Sequence, residues 1–194
     1  MLSFPNMVMI GGNSRNSGKT TMACDIISKL SGIHEIIGLK VTSVRPEEDE
    51  MHGDHTTEGT SCFSIFEELN TVSYKDTSKM LRAGATHVFY VRVSDKFIEK
   101  AILHFMSKYI NKQVIICESR NLRRIINPGL FLMMMRLPEE GKSKKDIETY
   151  LSLADKVFCF DTDQMKMKQF ADNLLFEKGV FYQIEDKSVC SLTK

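Results

Sequence analysis

The chain has 194 residues, 42% of them hydrophobic and 26% charged, enough for one well-filled core and too few for several large ones. With 26 basic against 25 acidic residues its formal net charge is +1, so no chain-wide field draws it to nucleic acid or to an anionic membrane, and any anion site has to be local. Cys24, Cys62, Cys117, Cys159 and Cys190 are odd in number and far apart, which suits reduced thiols better than a disulfide framework.

The opening MLSFPNMVMIGG has no basic lead and no small-residue cleavage site, and no stretch approaches about 18 apolar residues. The expectation is a cytoplasmic protein without a membrane partner. Met7 to Ile10 form a short apolar run that predicts a first strand, followed by a glycine loop and a helix whose stripe is Met22, Ala23, Ile26, Ile27 and Leu30. A second strand is expected over Ile36 to Thr42. The stretch from Arg45 to Ser73 is polar and acidic at first, too long for an ordinary loop, and reads equally as a mobile cover or a static surface insertion; in the first case Phe63, Ile65, Phe66 and Leu69 predict a helix over about 61–69 that docks it. Asp76 stands where an acidic residue opens a helix.

Further strands are expected at Val88 to Val93, Val114 to Cys117, Leu130 to Met135 and Val157 to Phe160. All lack clean alternation, as strands buried on both faces do. Between them, Ile98, Ala101, Ile102, Phe105 and Met106 share a helical stripe. A capping-box-like start at Ser143 and Asp146 precedes Ile147, Tyr150, Leu151 and Ala154, and a last helix is predicted over Gln164 to Glu177. Strands alternating with helices imply a mostly parallel sheet covered on both faces.

The loop after the first strand is the strongest chemical signal. Gly18, Lys19 and Thr20 satisfy the end of the phosphate-loop pattern G-x-x-x-x-G-K-[ST], while its first glycine falls on Asn13. Asn tolerates left-handed backbone angles better than most residues, and Gly11 and Gly12 add slack, so the loop is read as intact. Backbone amides of Gly12, Asn13, Ser14, Arg15, Asn16, Ser17, Gly18, Lys19, Thr20 and Thr21 would cradle phosphates at a helix start, with Lys19 reaching the terminal phosphates and the Thr20 hydroxyl ligating magnesium. With the strand before and the helix after, this predicts a single three-layer P-loop NTPase domain over residues 1–194, with a loop insertion at about 45–73.

Remaining chemistry should sit at the carboxyl ends of the strands. Glu118 follows the buried run QVIIC and is a candidate for magnesium or its water shell. Asp54 and Asp76 are candidates for a second carboxylate; Asp76 reads equally well as a helix-opening residue. Arg120, Arg123 and Arg124 in RNLRR could clamp an anionic substrate or belong to a solvated turn. His52, His55 and Cys62 have metal-ligand identity, but their spacing lacks a C-x-x-C companion and favours a polar loop.

NSGKTT, GLKVTS, KDTSKMLRAGA and VIICES occur in the same order as segments of the molybdopterin-guanine dinucleotide biosynthesis accessory proteins, which the chain resembles over about residues 5–135. The resemblance implies a GTP-binding P-loop NTPase using magnesium in molybdenum-cofactor biosynthesis. By position, Gly12 to Thr21 would hold phosphates, Lys40 and Thr42 would line the crevice, Asp76 would lie near magnesium and Glu118 would take the acidic strand-end position. Lys19, Glu118 and Asp76 would carry catalysis, and Thr20, Asp76 and Glu118 the metal. The chain departs from the family in having Glu118-Ser119-Arg120-Asn121 where a glycine-rich stretch is usual, and it lacks an N-K-x-D guanine motif; FDTD at Phe160 to Asp163 is the nearest position for base contacts. The expected ligand is GTP or ATP. Expected partners are a pterin-cofactor enzyme or other protein and a second copy of the chain, with no nucleic acid. Alternatives are an ATP-dependent small-metabolite kinase or ligase similar to dethiobiotin synthetase, and a nucleotide-dependent adaptor that delivers a metal or cofactor.

Overall fold

The computed structural model of the chain describes residues 1–43, 58–60, 62–109, 113–137 and 146–184. Among them an eight-stranded sheet runs in the order β3-β4-β5-β2-β6-β1-β7-β8. The strands are β1 (Leu2–Gly12), β2 (Ile36–Ser43), β3 (Glu58–Thr60), β4 (Phe63–Glu67), β5 (His87–Val93), β6 (Val114–Glu118), β7 (Ile126–Met135) and β8 (Lys156–Cys159). All neighbours pair in parallel except at one edge, where β3, β4 and β5 are antiparallel.

Alternate residues of β1 show why the central strands read as unbroken apolar runs. Met7 and Met9 join one buried cluster, and Val8 and Ile10 join another on the opposite face. The first cluster takes in Ala101, Ile102 and Phe105 of α3 (Ile98–Tyr109) and Tyr150 of α4 (Ile147–Ser152). The second takes in Met22, Ile26 and Leu30 of α1 (Lys19–Leu30), Met80 of α2 (Asp76–Arg82) and Met167 and Phe170 of α5 (Gln164–Asp172). The expected α/β architecture, a mostly parallel sheet with helices on both faces, is present. No helix among the described residues is long and apolar enough to cross a membrane.

One expected helix is a strand, and another gives way to a strand at its end. Residues 63–67 form β4 because Phe63 and Ile65 alternate into the core while Phe66 lies over Tyr90 of β5, ring centroids 6.2 Å apart. The last helix ends at Asp172 rather than at Glu177, and Leu174–Glu177 becomes β9, which turns back on β10 (Val180–Gln183). Lys178 and Gly179 both have positive φ, 51° and 84°, the geometry of a two-residue hairpin turn. Both β4 and β9 are four or five residues long, where helical and strand periodicity are hard to tell apart.

The expected cover over Arg45 to Ser73 is described only from residue 58 onward, apart from residue 61. Asp54, His52 and His55 lie outside the described residues, as does Ser143. Cys62 lies in the turn leading into β4.

Candidate functional site

Parallel pairing brings the carboxyl ends of β1, β2 and β6 together. Ile10 aligns with Glu118, and Glu118 aligns with Lys40, so the register alone sets an ammonium and a carboxylate side by side where the glycine loop begins. A cleft of about 600 Å³ opens there, walled by the loop from Ser14 to Thr21 together with Lys40, Asp76, Lys79, Glu118, Arg136 and Phe160. Gly12 borders a smaller pocket next to it.

The loop holds its shape by bonds to itself and to β7. Asn13 does not use a left-handed conformation, contrary to the reading of its tolerance for one; the positive φ values fall on Asn16, 57°, and Gly18, 86°. Asn13 works through its side chain. Its Nδ2 donates to the Arg136 carbonyl at 2.8 Å, and its Oδ1 accepts from the Arg136 N–H at 3.0 Å. This two-point clamp ties the loop to the end of β7, a role that a glycine could not fill. At the far end Lys19 Nζ donates to the Ser14 carbonyl at 2.7 Å and to Ser17 Oγ at 3.3 Å, drawing the loop into a ring.

Gly18 is the N-cap of α1 and brings no side-chain cap. The Met22 N–H donates to the Gly18 carbonyl at 3.0 Å, so the amides of Lys19, Thr20 and Thr21 precede the first helical bond of α1 and face the cleft end. No acidic residue occupies the first turn of α1 to satisfy them. Those amides, the positive end of the helix dipole and the Lys19 ammonium make the loop a receptor for anions.

Gly18 is also sterically required. A Cβ there would come within 2.2 Å of the Phe160 ring, in a conformation with φ of +86° that side chains resist. Gly18→Ala is expected to destabilise the fold by about 2–4 kcal/mol and to displace Phe160 from the cleft wall. Chemical denaturation of the variant, with no loss of stability, would show that the ring moves aside freely.

The polar network crosses the cleft floor. Thr20 Oγ1 donates to Glu118 Oε2 at 2.8 Å, and Lys40 Nζ donates to Glu118 Oε1 at 3.3 Å. Lys40 also pairs closely with Asp76 Oδ2, and Lys79, one turn along α2, donates to Asp76 Oδ1 at 3.1 Å. Glu118 is buried, 6% exposed, so its charge is compensated within the site. Burial works to lower the Lys40 pKa, but Glu118 and Asp76 outweigh it and hold the ammonium above its ordinary value. Burial likewise works to raise Asp76, but Lys40 and then Lys79 prevail and keep it below the usual carboxylate range. Both groups are charged at neutral pH.

Behind this network, burial first, then Asp25, Glu118 and Asp76, push the Cys24 thiol up to about 11. Alkylation of Cys24 by iodoacetamide at pH 8 is expected to run on the order of 100-fold slower than that of an unhindered cysteine; comparable rates would mean that burial and the neighbouring carboxylates raise the thiol less than the geometry implies. Cys117 is buried and its thiol is pushed up further still, in keeping with an inert core residue.

Of the expected site residues, Ser14, Arg15, Asn16, Ser17, Gly18, Lys19, Thr20, Thr21, Asp76, Glu118 and Lys40 meet at one cleft. Val41, and not Thr42, lines the adjoining pocket. The arginines of RNLRR part company. Arg120 lines that pocket; Arg123 is buried and donates to the Ile126 carbonyl at 3.1 Å; Arg124 is exposed and pairs with Asp146 at 3.4 Å. In FDTD, Asp161 accepts from the Leu137 N–H and Asp163 from the Cys159 N–H, so Phe160 is the member that reaches the cleft. Arg136 and Lys79 complete the wall without having been singled out in the sequence.

The donors also suit a hard divalent cation. Thr20 Oγ1, Glu118 and Asp76 offer oxygen only, and no cluster of three His, Cys, Asp or Glu side chains forms among the described residues. An incomplete oxygen set fits an ion that keeps waters and shares a ligand's phosphates, as magnesium does, better than one held in an all-protein cage.

Fold and site together define an open α/β protein with a glycine- and lysine-bearing loop at the carboxyl end of its central strand β1. No family model, no curated protein and no solved structure matches the chain.

Proposed function

We propose that this chain is a P-loop nucleotide-binding protein, a slow GTP- or ATP-hydrolysing NTPase that uses magnesium and serves as an accessory factor in molybdopterin guanine dinucleotide synthesis. The observation that carries nucleotide binding is the end of α1: uncapped amides behind Gly18, with the Lys19 ammonium folded over the loop and the Thr20 hydroxyl on Glu118. The pathway assignment rests on the resemblance. It is supported by the convergence of its four quoted segments, since Lys19, Lys40, Asp76 and Glu118 come one from each and line the same cleft.

In this reading the loop amides bind the phosphates, and Lys19 exchanges its bond to the Ser14 carbonyl for the terminal phosphate. Thr20, Glu118 and Asp76 would hold the magnesium, which neutralises charge on those phosphates. Lys40 keeps Asp76 ionised and holds both Asp76 and Glu118 in place. Glu118, the acceptor of the Thr20 hydroxyl, would orient an attacking water. Phe160, packed on Gly18, offers an aromatic surface beside the loop.

A thermal-shift series with magnesium and GTP, ATP, GDP or ADP tests the proposal. A rise in melting temperature is expected with triphosphate, and the nucleotide giving the larger rise identifies the base. No shift with any of the four would overturn nucleotide binding. The second reading, a small-metabolite kinase or ligase, is favoured by one observation, the adjoining pocket bordered by Arg120.

A further inference from the structure

We infer that the pocket beside the cleft is a second-substrate subsite that takes a phosphate group, with Arg120 as its principal binding residue; the inference rests on the nucleotide reading of the larger cleft. The pocket measures about 190 Å³ and is bordered by Gly12, Lys19, Lys40, Glu118, Arg120 and Asn121 among others. Lys19, Lys40 and Glu118 are common to both cavities, so a group held here adjoins the place where terminal phosphates would lie. Arg120 borders the smaller cavity alone.

Two features mark Arg120 as a binding group. Its guanidinium carbon lies 4.8 Å from the centre of the Tyr150 ring, which holds the planar fork in one orientation before any ligand arrives. Its Nη1 is buried and has no hydrogen-bond partner among the described residues. Buried donors are almost always satisfied in folded proteins, so a guanidinium that borders a cavity with a nitrogen unpaired among the described residues has bonding capacity to offer a ligand there. Arg123, three residues on, spends its Nη1 on the Ile126 carbonyl and differs in lining neither cavity.

Charge selects the acceptor. Lys19, Lys40 and Arg120 border the pocket with the carboxylate Glu118, and Asp76 also pairs with Lys40, so three cations against two carboxylates leave a positive excess that suits an anion. A guanidinium fork meets two oxygens of a phosphate at once. The pocket holds a phosphate and a few more atoms, not a nucleotide. A phosphorylated small molecule anchored here would present its remaining atoms to the nucleotide's terminal phosphate.

The test uses the full chain loaded with magnesium and a hydrolysis-resistant triphosphate, titrated calorimetrically with inorganic phosphate. Wild type is expected to bind phosphate, Arg120→Ala to bind it at least about 10-fold more weakly, and Arg120→Lys, which keeps the charge and loses the fork, to fall between. Asn121→Asp adds negative charge to the same wall at constant size and is expected to weaken phosphate too; it carries the test if Arg120→Ala fails to fold. Triphosphate affinity should change by less than about twofold in all three, because Arg120 and Asn121 lie off the larger cleft. Absence of phosphate binding in wild type, or equal binding in wild type and all variants, overturns the subsite. Binding of succinate in place of phosphate overturns the phosphate assignment. If the triphosphate analogue itself does not bind, the nucleotide reading fails separately, and the titration of the nucleotide-free chain still decides whether phosphate binding depends on Arg120.

Discussion

Lys19→Ala is expected to lower nucleoside triphosphate affinity by about 100-fold or more, measured by calorimetry with magnesium present. The ammonium sits at the start of α1, where it adds a full charge to amides that have no helical acceptor. In the ligand-free chain it is not idle. Its bonds to the Ser14 carbonyl and Ser17 Oγ close the loop on itself, so the variant should also lose about 1 kcal/mol of stability, a fall in melting temperature of about 2–4 °C for a chain of this size. A large affinity loss with that small stability loss separates ligand binding from folding. Equal affinity in mutant and wild type would sink the phosphate-loop reading.

Glu118→Gln should reduce magnesium-dependent hydrolysis by about 100-fold while changing magnesium-free triphosphate binding by no more than about threefold. The substitution keeps the size of a buried side chain and removes the charge that the Thr20 hydroxyl and the Lys40 ammonium address from its two oxygens. Lys40 retains Asp76, so the ammonium is not left uncompensated and the fold should survive. Single-turnover hydrolysis across a magnesium titration reads the effect directly. A wild-type rate in the variant would transfer the carboxylate's role to Asp76.

Why these groups could be found in the sequence differs from one to the next. Gly18, Lys19 and Thr20 are contiguous, and Glu118 follows an unbroken apolar run, so the strand-end rule locates them without knowledge of neighbours. The pairing of Lys40 with Asp76 spans 36 residues and follows from the β2–β6 register and the placement of α2, neither of which is a local property. Asn13 was recognisable as the position where glycine is missing, yet its clamp on Arg136 bridges 123 residues and left no local trace. Arg136 had a usable signal, since it is the first residue past the apolar run of β7, the strand beside β1. The strand β4 was misread because Phe63, Ile65 and Phe66 satisfy a helical stripe as readily as a two-residue alternation, and only pairing with β5 decides between them.

The central position of β1 bears on how the chain comes into being. Its two neighbours are β6 and β7, with Met7 beside Ile115 and Leu2 beside Ile126, so β1 is flanked entirely by segments made more than 100 residues later. At ribosomal speeds of about 5–20 residues per second, the apolar Met7-Val8-Met9-Ile10 waits roughly 6–20 s for its first partner. During that interval it is a hydrophobic strand with both edges open, a natural client for a chaperone. The nascent chain therefore cannot pair β1 until β6 has been made, and a fragment released before Val114 has no partner with which to form the middle of the sheet.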